Sequence, residues 1–157
     1  MSTLIGSASE LEQRCREYRE KNHLPAVVDP VSKCILLHVG AGYGAVTMPV
    51  ELGERVQRRL RAAGIEGQVL AHPRAHSWTF LTGPKPHEYT PVQSAEMFRR
   101  YITVAGTGSQ IVLPSPHDES TGYRIWVQAP QGAAKRPPQS TVLDAALLPE
   151  TDPITLR

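Results

Sequence analysis

Residues 45–81 constrain the fold most. Ala45-Val46-Thr47-Met48 is of strand type and runs into Pro49. Proline suits the first turn of a helix, because the N–H it lacks would be unpaired there anyway. Leu52, Val56 and Leu60 then recur every four residues, the apolar stripe of an amphipathic helix, and Gly64 follows as a C-terminal stop. Residues 68–71 and 77–81 read as strands again, joined by Pro73-Arg74-Ala75-His76. Strand, helix, strand is a βαβ-like unit, and it predicts an α+β domain built on a mixed sheet.

The flanks extend this unit. Ser7-Ala8-Ser9-Glu10 has the capping-box pattern, with Ser7 as N-cap, and opens a helix carrying Leu11, Cys15 and Tyr18 to about Asn22. Residues 26–28 and 33–39 form a hairpin around Asp29-Pro30, and residues 83–91, with three prolines, form a loop. A short helix over 94–100 brings the helices to about three, and strands follow at 101–104, 110–113 and 123–128. Beyond Pro130 the composition turns to Gly, Ala, Pro, Lys and Arg, a linker signal. The chain therefore divides into a single domain, 1–130, and a Pro-rich linker and C-terminal tail, 131–157, with one or two helical turns at 141–148. Met48, Leu52, Val56, Leu60, Val69, Phe80, Val104, Ile111, Leu113 and Trp126 are expected in one core.

Composition bounds the function classes. A chain of 157 residues buries a core of its own, and 40% hydrophobic with 20% charged residues is ordinary for a globular protein. A net charge of +2 is too mild to prescribe a nucleic-acid partner. The longest apolar run, 34–39, is interrupted by His38 and too short to span a bilayer, so no membrane partner is expected. No charged leader with an apolar stretch opens the chain, so export is not expected and the cytoplasm is the expected location. Cys15 and Cys34 lack CxxC spacing and read as free thiols.

The run Tyr101-Ile102-Thr103-Val104-Ala105-Gly106-Thr107-Gly108-Ser109-Gln110-Ile111-Val112-Leu113-Pro114-Ser115-Pro116, closing with Tyr123-Arg124-Ile125-Trp126, resembles the last signature block of the primase-polymerase family. There a strand ending in a metal-binding Asp passes through a Gly-rich turn into a Pro-containing strand and a Tyr-x-Trp strand. More specifically, Met48-Pro49-Val50-Glu51-Leu52-Gly53, Gly67-Gln68-Val69-Leu70-Ala71, Trp78-Thr79-Phe80-Leu81 and Val112-Leu113-Pro114-Ser115-Pro116 with Trp126 are similar to pieces of small actinobacterial primase-polymerase-like proteins. The resemblance covers roughly residues 44–128.

It implies a polymerase-type module without its metal site. The family's two strand carboxylates would fall at Val46 and Met48, its third at Thr103, and its phosphate-contacting His at Ser77, with His76 one residue away. Neither apolar groups nor a hydroxyl replace carboxylates around Mg²⁺. No catalytic residue, metal or cofactor is therefore expected. The implied role is non-catalytic, regulatory or accessory, with DNA, RNA or a nucleotide as ligand. The alternative is a protein-protein interaction module using the Pro-rich loops and tail. An active nucleotidyltransferase with displaced ligands ranks last.

The candidate nucleic-acid-binding residues are Arg55, Arg58 and Arg59 on the second helix, beside Arg61, together with Arg74 on the hairpin tip. Replacing Arg55 and Arg59 together by Ala is expected to weaken oligonucleotide binding without changing the melting temperature. A solvated face balancing Glu51 and Glu54 is the other reading of the helix arginines. His72 and His76 span a Pro-containing turn rather than a helix and read as a surface tip. His117-Asp118-Glu119 reads as a polar loop, and Gly106-Thr107-Gly108-Ser109 as a tight turn.

Overall fold

The strand-helix-strand unit forms, but its two flanking strands do not pair with each other. The structure, a computed structural model, describes residues 2–40 and 42–149, with side chains from residue 8 onward. β1 is Val27–Asp29, β2 Cys34–His38 and β3 Gly44–Pro49, followed by α2, Val50–Ala62, and β4, Val69–His72. After the single turn Pro73–Ala75, β5, Ser77–Thr82, folds straight back beside β4. Its six residues also match β3 residue for residue, from Gly44 opposite Thr82 to Pro49 opposite Ser77. The local hairpin and this long ladder place β5 between the other two.

With β6, Thr103–Val104, and β8, Ile125–Gln128, the sheet order is β6-β3-β5-β4-β8. A second sheet has the order β1-β2-β7, with β7 at Gln110–Leu113. Every pairing is antiparallel, so the expected mixed sheet is corrected to two antiparallel sheets. The α+β class stands. The Gly106–Gly108 segment links strands of different sheets rather than a hairpin.

The described residues form five helices, not about three. α1 spans Ser2–Glu20, so Ser7 lies inside the helix instead of capping it. α3 is Pro91–Arg99, with a capping box from Thr90 to Gln93. α4, Pro116–Thr121, replaces the expected polar loop: Ser115 accepts from the Asp118 N–H at 3.0 Å and Pro116 opens the first turn.

α5, Gln139–Leu147, corrects the expected tail most strongly. Gln139, Val142, Leu143, Ala145 and Ala146 are buried in it. The preceding Pro-rich stretch is bonded down as well: the Gly83 N–H donates to Pro137 (2.9 Å), that of Ala134 to Asn22 (2.9 Å), and that of Lys135 to the Gln68 side chain (2.5 Å). Gly44 makes room for this docking, because a Cβ there would lie 2.6 Å from the Gln139 amide nitrogen. Residues 131–149 are thus packed onto the domain, and 150–157 lie outside the described residues.

The five-stranded sheet separates two cores rather than supporting one. On one face Val46, Met48, Val69 and Phe80 meet the α2 stripe Leu52, Val56 and Leu60, joined by Met97, Ile102 and α5. On the other, Ala45, Leu70 and Leu81 meet Leu11, Cys15 and Tyr18 of α1 and Ile35, Leu37, Ile111 and Leu113 of the small sheet. Trp126 packs against this second core and donates to the Tyr18 hydroxyl (3.0 Å), which donates to the Pro114 carbonyl (2.7 Å). α2 comes close to β5 because residue 53 is glycine: a Cβ there would lie 2.8 Å from the Trp78 ring.

Candidate functional site

The helix arginines do not form one surface. Arg59 is 2% exposed, and its guanidinium donates to the carbonyls of Ala145 (2.6 Å) and Pro149 (3.1 Å). It ties down the end of α5, where the last carbonyls lack helical partners. It is a structural residue, and its place among the phosphate-contacting candidates is withdrawn. Arg55 is half-buried and lines an open hollow of about 400 Å³ with Glu51, Leu52, Arg100 and Pro149. Arg58 is exposed, and Arg61 reaches the other way to Gln128 of β8 (2.8 Å). Four arginines within seven residues diverge because a helix turns about 100° per residue and the two flanks of α2 face different neighbours.

Arg74 belongs to another group, at the end of β4 and the start of β8. Its guanidinium lies 5.3 Å from the centre of the Tyr123 ring, and that of Arg124 lies 5.1 Å from the same ring. Tyr123 is 45% exposed. Arg124 is mostly buried and donates to Asp118 at 2.6 Å, while its Nε is buried with no acceptor among the described residues. Asp118 also accepts from the Ser115 N–H, so the α4 cap fixes the carboxylate that orients Arg124. Glu119 likewise serves structure, bound to Arg14 of α1 at 2.6 Å.

A row of hydroxyls adjoins this group across the sheet. Thr103 of β6 sits opposite Thr47 of β3, and Thr47 opposite Thr79 of β5. Directly opposed residues share a face. Thr47 and Thr79 are hydrogen-bonded at 2.7 Å, and Thr79 to the His72 Nε2 at 2.9 Å. Burial, and secondarily the charge of Arg124, hold the His72 pKa below its ordinary 6.5. The imidazole is therefore neutral at pH 7. The result is a shelf with Thr103, Arg74 and the Tyr123 ring exposed, backed by the Thr47-Thr79-His72 bonds, in which Thr79 is buried, and by Arg124. The Arg74 guanidinium suits phosphate oxygens and the ring suits a base.

Val46 and Met48, at two of the mapped carboxylate positions, are fully buried under α2. Thr103, at the third, is exposed and paired with Thr47, hence on the opposite face of the sheet. The three positions do not converge. Ser77 is half-buried, whereas His76 is exposed with φ +51°, closing the turn that carries Arg74. Among the described residues no three of His, Cys, Asp and Glu come together as a metal site, and Cys15 and Cys34 are free thiols. No described helix is long and apolar enough to cross a membrane.

Tyr123, Thr47 and Thr79 were missed as site residues. Tyr123-Arg124 was visible as an aromatic beside a cation, but nothing local joins it to Arg74 across the β4–β8 pairing. Comparison with protein-family models, with curated proteins and with solved structures gave no match.

Proposed function

We propose that this chain is a non-catalytic binding protein of the primase-polymerase-like kind, acting in a regulatory or accessory role. Its ligand is a phosphate-bearing nucleotide unit, free or within DNA or RNA. The observation that carries this reading is the exposed Tyr123 ring with the guanidiniums of Arg74 and Arg124 at 5.3 and 5.1 Å, at the end of the Thr103-Thr47-Thr79-His72 row. The ring offers a stacking face, and the exposed Arg74 offers donors to phosphate, while Arg124 is held against the ring by Asp118. Apolar side chains at 46 and 48 and a hydroxyl at 103 support the non-catalytic part, since two-metal phosphoryl transfer depends on anionic ligands.

Binding of a labelled oligonucleotide and of a free nucleoside triphosphate, measured against salt, tests the reading. Arg74→Ala is expected to weaken binding whatever the base sequence and to flatten the salt slope by about one. Wild-type protein that binds neither ligand at low salt refutes it. The interaction-module reading would then take over, with the exposed Val92, Phe98 and Tyr101 as its surface.

A further inference from the structure

We infer that the C-terminal end of α3 is a second contact surface, on which Phe98 and Tyr101 stack the bases of single-stranded nucleic acid. The two rings are 82% and 79% exposed and bracket Arg99 and Arg100 in the chain. Backbone geometry also marks Tyr101, one of four described non-glycine residues with positive φ, beside His23, Lys33 and His76. α3 closes with the Ile102 N–H bonded to the Met97 carbonyl (2.9 Å) and the Tyr101 N–H to the Phe98 carbonyl (3.1 Å). This is the Schellman pattern, in which the residue after the C-cap takes the left-handed conformation, ordinarily as glycine. Here Tyr101 takes it, at φ +59°. A bulky side chain is strained there. Burial does not offset the strain, because Ile102 makes the core contact while the tyrosine ring stands in solvent. Strained backbone concentrates where side chains are presented to ligands.

Charge and ring chemistry together select the occupant. Glu96 pairs with Arg99 and, at 3.9 Å, with Arg100, so two cations share one carboxylate and the surface stays net positive. Arg100 also lines the hollow that contains Arg55. Cations interleaved with open aromatic faces match a strand whose bases are unstacked and whose phosphates are accessible, whereas a duplex keeps its base faces covered. Tyr101 stands only two residues before Thr103, the outer end of the hydroxyl row, a span of at most about 7 Å of extended chain. A strand crossing the end of α3 thus reaches the shelf. The inference rests on the nucleic-acid reading for its ligand class.

Fluorescence anisotropy with labelled oligo-dT of about 15 nucleotides, against a duplex of equal length, tests it at low salt. Phe98→Ala and Tyr101→Ala are each expected to weaken oligo-dT binding roughly ten-fold and leave duplex binding unchanged. Tyr101→Gly should lose the same affinity while its melting temperature rises, which a structural role for the ring would not produce. Glu96→Gln should tighten binding by removing the competing carboxylate. Unchanged oligo-dT affinity in both alanine variants overturns the inference, and the shelf reading survives if Arg74→Ala still weakens binding. Loss in the alanine variants with no effect of Arg74→Ala supports the α3 surface and sinks the shelf. Wild-type protein that ignores oligo-dT but self-associates until Phe98 is replaced by Ala makes the surface a protein contact and overturns the inference.

Discussion

Replacing Arg59 by alanine should be among the most damaging single changes on α2, although the sequence offers it as a surface residue. The substitution removes two charge-assisted hydrogen bonds, to Ala145 at 2.6 Å and Pro149 at 3.1 Å. A hydrogen bond involving a charged group contributes about 1.5–3 kcal/mol. The Ala145 carbonyl has little recourse, since the residue four positions on is Pro149, which has no N–H to donate. The Pro149 contact is only partly buried, so the lower half of the range applies to it. The sum is about 3–5 kcal/mol, a large share of the 5–15 kcal/mol typical of a domain. For a chain of this length that corresponds to a fall in Tm of roughly 6–20 °C. Arg59→Lys, with its charge and a single donor group, should lose about half as much, and Arg58→Ala, on the exposed side, no more than about 0.5 kcal/mol. Thermal and urea unfolding followed by circular dichroism read all three. An Arg59→Ala variant that melts with Arg58→Ala would refute the claim that Arg59 holds α5. The same reasoning reverses the expectation that the Arg55→Ala, Arg59→Ala pair keeps its melting temperature.

Two further outcomes follow from packing and protonation. Gly53→Ala should lower the urea midpoint although alanine is the better helix former by about 1 kcal/mol, because the new Cβ meets the Trp78 ring at 2.8 Å and overpacking costs about 1–3 kcal/mol; a raised midpoint would show that the ring yields freely. His72, whose pKa is depressed by burial and then by Arg124, binds fewer protons folded than unfolded. Stability should therefore be full above the ordinary value of 6.5 and decline as pH falls below it, and His72→Gln should lose that part of the dependence. Melting temperatures at about pH 7.5 and about pH 5.5 check the sign, and equal declines in the two proteins would remove His72 as the cause.

The local periodicities decided a good deal. The Leu52, Val56 and Leu60 stripe is buried as the spacing predicts, as are Leu11, Cys15 and Tyr18 of α1. Strand positions were legible to within a few residues, because alternating β-type runs bounded by Gly and Pro carry their own signal. The α4 cap was equally present in Ser115-Pro116 and Asp118, but a six-residue helix has too little periodicity to stand out from a polar loop. The turns of α5 were legible at 141–148, but its docking was obscured by the prolines before it, since composition reports chain stiffness and not whether the segment finds a buried groove.

Sequence alone determined which residues can be helical or extended, which stripes are apolar, and that positions 46, 48 and 103 are Val, Met and Thr. Those properties live in a residue and its near neighbours. Tertiary structure alone decided that β5 lies between β3 and β4, that the sheet divides two cores, and that Arg59 is spent on the carbonyls of α5. It also brought Arg74 and Arg124 to one tyrosine ring and lined up Thr103, Thr47 and Thr79. The physical reason is range. A cation's partners are set by whichever groups the folded chain places within about 4 Å, and here they stand as far as 105 residues away in sequence.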